Sequence, residues 1–169
     1  HKLQILAMLA FRTSVKLKDI YVEGITRITP QDIALAREMG FRIKLLAIAK
    51  AADGKLELRV HPTMIPEKSP MSAVSGVFNA IFLNGDVVND LMFYGRGAGQ
   101  MPTASSVWAD SVEIARRRAA GQAAVPQDLP VLGRNPLSLK PMENVTSAYY
   151  LNVSALDQPA VLAQVAGIL

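Results

Sequence analysis

Cysteine is absent from these 169 residues. That excludes disulfides and Cys-zinc sites and fits a reducing compartment such as the cytoplasm. No apolar run reaches the roughly 20 residues a membrane span needs. The apolar opening, residues 3–11, lacks a signal-peptide layout and a small-residue cleavage site. Aromatic residues make up only 6% of the chain and are not interleaved with the basic ones. The net charge of +4 is spread along the chain, so there is no nucleic-acid footprint. The sequence has no starting Met, no internal repeat and no low-complexity segment.

What is present centres on residues 91–118. An apolar, strand-like run ends in three alternate glycines, Gly95, Gly97 and Gly99, and a long helical pattern follows. Glycines permit positive φ and close backbone approach. The helix start behind them offers unpaired N–H groups that suit an anion. The spacing is neither G-x-G-x-x-G nor a P-loop, and a plain tight strand-to-helix turn fits it as well. Arg116, Arg117 and Arg118 close the helix, where cations complement its dipole.

Taken in order, residues 2–11 show helical spacing at Leu3, Ile5, Leu6, Leu9 and Ala10. A short strand is expected near Ile20 and Val22. Thr29, Pro30 and Asp32 read as a helix start, with Ile33, Ala36 and Met39 as its buried stripe and Gly40 as its C-cap. Residues 41–51 and 55–60 alternate around Asp53-Gly54 and predict a hairpin with one wet face. Residues 61–66 are expected to leave that strand as an irregular segment. Ser69-Pro70 starts a short helical turn. Residues 77–83 and 87–94 predict a second hairpin turning at Asn84-Gly85. A helix follows from Thr103 through Ala104, Val107, Trp108, Ser111, Val112 and Ala115. Pro126, Pro130, Pro136 and Pro141 mark residues 119–145 as a linker. Residues 147–153 then read as a strand, and Asp157-Gln158-Pro159 opens a helix running through Leu162, Val165 and Leu169. His61, at a strand end, is assigned a structural role. Asp86 and Asp90 are assigned turn and strand-edge roles rather than a metal site.

Longer motifs add a resemblance. His61-Pro62-Thr63-Met64-Ile65-Pro66, Pro70-Met71, Ala73-Val74, Gly76-Val77, Asn79-Ala80, Gly85-Asp86, the run from Phe93 to Gly99, and Pro102-Thr103-Ala104-Ser105 resemble homoserine dehydrogenase in order and spacing. So does Glu23-Gly24-Ile25 with Ile33-Ala34, Ala36 and Gly40. This resemblance covers residues 1–118. Residues 146–169 resemble the first strand and helix of an ACT regulatory domain, with Ala160 where that domain has Gly.

The resemblance implies NAD- or NADP-dependent interconversion of L-homoserine and L-aspartate 4-semialdehyde, in threonine, methionine and isoleucine biosynthesis. It also implies a homodimer or homotetramer that shares a sheet, and an amino-acid effector at the ACT part. The family's acid/base lysine follows an Asp by four residues. His1-Lys2-Leu3 matches the end of that pattern, which makes Lys2 the catalytic residue and puts the Asp upstream. A lysine ammonium protonates a carbonyl oxygen during reduction, and a desolvated lysine serves as base in reverse. Gly99 matches a cofactor-contacting position, with Gly97 and Ala98 beside it. No metal is implied. The nucleotide-binding half and the acidic substrate ligands are expected before His1, so this stretch alone is expected to be inactive. The alternatives are a non-catalytic, dimerising amino-acid sensor and an oxidoreductase with a different aldehyde. The expected fold is α+β: a mixed, mostly antiparallel sheet with helices on one face and the other face free for a partner.

Overall fold

A computed structural model describes residues 1–123, 136–155 and 160–168. The elements are α1 (Lys2–Phe11), β1 (Tyr21–Val22), α2 (Pro30–Glu38), β2 (Phe41–Ala52), β3 (Lys55–Pro66), β4 (Phe78–Gly85), β5 (Asn89–Arg96), α3 (Gln100–Ala119), β6 (Ser138–Leu139) and α4 (Val161–Ile168). Short 3-10 turns sit at Leu17–Asp19, Pro70–Ala73 and Met142–Asn144. No described helix is long and apolar enough to cross a membrane.

β3 is the axis of the first sheet. It pairs antiparallel with β2 along 12 residues and parallel with β1 and β6 on its other side. The sheet is therefore mixed, as expected. Asp53 and Gly54 make the hairpin turn at φ 51 and 71, the positive pair that a type I′ turn requires. β4 and β5 form a separate two-stranded hairpin.

Residues 61–66 continue β3 instead of leaving it. The parity of the strand explains why two prolines are tolerated. The carbonyls of Val60 and Leu56 accept from Glu23 and Lys140 on the β1/β6 side. Pro62 and Pro66 share that parity, so the N–H groups they lack would have pointed to the same outer edge. Beyond Val60 no strand pairs there among the described residues, and proline fits such an open edge.

The core lies between α1 and β3. Leu3, Ala7, Val15, Ile20, Leu56 and Leu58 are buried together, and Met8, Phe11, Leu137 and Leu139 pack against them. Each fully buried aliphatic side chain contributes about 1.5–3 kcal/mol. On α1 only Leu3 and Ala7 are buried, and Ile5 and Leu9 are more than half exposed. The expected one wet face of β3 is corrected: Glu57 and Arg59 are buried on the face opposite Leu56 and Leu58. Both faces are covered around the strand's centre, so the second face is not free for a partner there.

The start of α2 is as expected. Thr29 and Asp32 form a reciprocal capping box, and Gly40 takes φ 78. Its buried positions are Asp32 and Ala36, whereas Ile33 and Met39 are exposed. The second hairpin turns later than expected, through residues 86–88, with Asn89 at φ 56.

The last part of the expected linker is built into the first sheet. β6 pairs with Lys55 and Leu56, and Thr13 Oγ1 accepts from Leu137 N at 3.0 Å. Residues 147–153 carry no strand ladder. The helix expected after Asp157-Gln158-Pro159 is seen from Val161, whereas Pro126, Pro130, those three residues and Leu169 lie outside the described residues.

Candidate functional site

The glycine turn joins β5 to α3. β5 runs through Gly95 and Arg96, so the turn itself is Gly97 to Gly99, and α3 starts at Gln100, three residues earlier than expected. The hairpin presents it firmly. Phe78 stacks on Tyr94 with centroids 4.8 Å apart, Arg96 sits over the Phe78 ring at 5.4 Å, and Gly97 N donates to Val77 O at 3.1 Å.

Two of these glycines have distinct physical reasons. Gly99 has φ 123 and ψ 153, a region only glycine occupies comfortably. A Cβ on Gly97 would stand 2.6 Å from Asn79 Cγ, so glycine there also makes room for a neighbouring side chain. Gly99 caps α3 without a side-chain acceptor, and the first turn holds no acidic residue. Its amides and the helix dipole therefore favour a negative or strongly polar group. Ala98 lies between the two glycines, exposed.

Lys2 opens α1 and is exposed. It stands at the edge of the α1–β3 core, beside buried Leu3. The glycine turn belongs to the other hairpin, and among the described residues no hydrogen bond joins α1 to residues 97–99. Asp90 accepts from Asn84 Nδ2 at 2.6 Å across β4 and β5. Among the described residues no three His, Asp or Glu side chains converge as metal ligands do.

Two polar clusters were not expected. Glu57, Arg59 and His61 form a row on one face of β3, the carboxylate 3.3 Å from Arg59 Nη1. Arg59 Nε and His61 Nε2 are buried without a hydrogen-bond partner, and the His61 ring meets Tyr21 edge to face at 6.5 Å. Tyr21 also lines an open depression of about 360 Å³ with Glu23, Thr26 and Arg27. Its hydroxyl donates to Glu23 at 3.1 Å, and that carboxylate raises the phenol's pKa.

The second cluster surrounds Asp32, which accepts from Thr29, Tyr150 and Asn152. The Thr29 hydroxyl, then Asn152, the Thr29 amide and Tyr150 hold the Asp32 carboxyl well below the usual carboxylate range. Desolvation, and then its bond to Asp32, push the Tyr150 phenol up. The signal for Asp32 was its place three residues after Thr29. Tyr150 and Asn152 carried no local signal, since their partner lies about 120 residues away.

Comparison with known proteins places the chain in a family. The family model for homoserine dehydrogenase matches residues 1–112. The homoserine dehydrogenases of Neisseria gonorrhoeae and Pseudomonas aeruginosa are 42% and 44% identical to this chain across all of it. The chain spans 39% of the length of each. A crystal structure of homoserine dehydrogenase from Thiobacillus denitrificans superposes with a TM-score of 0.81 at 39% identity, over 99% of this chain and 39% of that one. The Staphylococcus aureus enzyme at pH 6.0 gives 0.63 at 38% identity over 70% of this chain. Over its glycine turn, its β2–β3 sheet and the helix that carries Lys2, the chain belongs to the homoserine dehydrogenase family.

Proposed function

We propose that the protein carrying this chain oxidises L-homoserine to L-aspartate 4-semialdehyde, reversibly, with NAD or NADP, within threonine, methionine and isoleucine biosynthesis in the cytoplasm. The observation that carries this reading is the family match across residues 1–112. Residues 1–118 are the substrate and dimerisation region, 119–145 the connection, and 146–169 the start of an ACT-like unit that receives an amino-acid effector.

Gly97, Ala98 and Gly99 contact the dinucleotide through the backbone of the turn. The fit rests on Gly99's backbone conformation and on the uncapped, acid-free first turn of α3. When bound, the nicotinamide supplies the hydride acceptor for oxidation and the donor for the reverse reaction. Lys2 Nζ takes the proton from the homoserine hydroxyl in one direction and returns it to the aldehyde oxygen in the other.

A homodimer or homotetramer fits the uncovered apolar surface. Phe93 and Tyr94 on β5 and Trp108 on α3 are 61%, 54% and 72% exposed, and α3 buries no residue within the chain.

The test is homoserine-dependent reduction of NAD and NADP by the complete protein, followed by nicotinamide absorbance and repeated with Lys2→Ala. Turnover that falls at least ~100-fold in the variant supports the assignment. No homoserine oxidation by a folded protein that dimerises and binds an amino acid overturns it in favour of a sensing module.

A further inference from the structure

The two carboxylate oxygens of Asp32 do different jobs. Oδ2 accepts from Thr29 N at 2.9 Å and Thr29 Oγ1 at 2.6 Å, while Asp32 N donates to Thr29 Oγ1 at 3.1 Å. That closes the capping box and starts α2. Oδ1 accepts from Tyr150 OH at 3.1 Å and Asn152 Nδ2 at 2.8 Å. Among the described residues, these are the hydrogen bonds that tie residues 146–155 to the first 123. Asp32 itself is only 7% exposed.

Tyr150 and Asn152 bond to Asp32. Their odd-numbered neighbours Tyr149, Leu151 and Val153 are 71%, 58% and 57% exposed. α4, which follows, buries no residue, and Leu162 is 82% exposed. The segment is thus held by two polar side chains, Tyr150 half-buried and Asn152 exposed, while the apolar side chains between and beside them are uncovered. At the other end of the anchor, α2 runs through Gly40 straight into β2, and Gly40 O accepts from Glu67 N at 2.9 Å. α2 is therefore joined to the near ends of both strands of the long hairpin, outside their ladder.

We propose that Asp32 is a conformational joint: one buried carboxylate clamps residues 150–152 onto the first turn of α2, so that displacement of the C-terminal segment and loosening of that turn are transmitted to each other. The shared acceptor supplies the coupling. Both sets hold one side chain in a single position, so freeing one set lets the carboxylate swing away from the other, and such a coupling acts equally in both directions.

The experiment perturbs each end and reads the other, in the whole chain. Tyr150→Phe with Asn152→Ala removes the clamp and leaves the Thr29–Asp32 box intact. The readout is hydrogen exchange at the Ile33 amide, which donates to Thr29 O. We expect exchange there to rise roughly tenfold, the scale of a lost hydrogen bond to a charged acceptor. Thr29→Ala perturbs the cap, and the readout is chymotryptic cleavage at Tyr149 to Leu151, which should accelerate severalfold. β2–β3 ladder amides stay protected in both variants. Effects confined to the mutated end overturn the proposal. So does an equal rise across the β2–β3 ladder, which would mark a general loss of stability. If the double variant fails to fold, Tyr150→Phe alone removes one hydroxyl and carries the same two outcomes.

Discussion

Replacing Gly99 by alanine sets the backbone of the turn against its side chain. At φ 123 and ψ 153 an L-residue is strained by about 1–3 kcal/mol. Contacts add little: the new Cβ would meet Pro102 Cδ at 3.4 Å, an ordinary separation. Gly97→Ala reverses the balance. Its Cβ would stand 2.6 Å from Asn79 Cγ, but Asn79 is exposed and swings into solvent. Its cost is then a rotamer change of below about 1.5 kcal/mol. Gly99→Ala should therefore lower the urea midpoint more than Gly97→Ala, with unchanged m-values. In the complete protein, cofactor affinity measured by nicotinamide fluorescence should fall in both variants. Adding Asn79→Ala to Gly97→Ala should restore the midpoint and leave the affinity low. A Gly97→Ala loss of stability equal to or above that of Gly99→Ala would refute the strain argument. Recovery of affinity together with stability would refute cofactor contact at Gly97.

Leu56 is fully buried at the centre of the core, so Leu56→Ala should cost about 2–5 kcal/mol in urea unfolding followed by circular dichroism. Arg59→Met should cost about 3–5 kcal/mol because it strands the Glu57 carboxylate, and adding Glu57→Leu should return most of that in the same assay. The Asp32 carboxyl is held below its ordinary value of 3.8; its stabilisation is therefore present above that value and fades as pH falls below it. Asp32→Asn should flatten the acid limb of a Tm-against-pH profile. Phe93→Asp should weaken self-association in sedimentation velocity, with the circular dichroism spectrum unchanged.

Local chemistry was legible where it is self-contained. Asp53-Gly54 demands positive φ at both positions, and Thr29 to Asp32 closes a hydrogen-bonded box within four residues. Asn84-Gly85 misled because the same pair suits a strand end. Asn84 instead bonds Asp90 across the hairpin, and Asn89 takes the left-handed position. Pro62 and Pro66 looked like breakers because proline's cost depends on which edge its nitrogen faces, and the edge is set by β1 and β6. The alternation of residues 55–60 predicted a wet face. Burial of Glu57 and Arg59 depends on cover from residues distant in sequence, which period-2 spacing cannot register.

The helix after the glycine turn carries that lesson furthest. The spacing of Ala104, Val107, Trp108, Ser111, Val112 and Ala115 predicts an apolar stripe, and α3 forms over 20 residues. Yet Trp108 is 72% and Val107 62% exposed, and nothing on α3 is buried. Periodicity states that a face exists and is silent on what covers it. α1 repeats the pattern, apolar on sides that the sheet does not reach. A helix apolar beyond its packed stripe is built for a second neighbour. Lys2 opens one such helix and Gly99 the other. Both candidate site residues thus stand at the starts of helices that keep apolar faces uncovered among the described residues, so a neighbour that covers those faces would also bear on where the two residues sit.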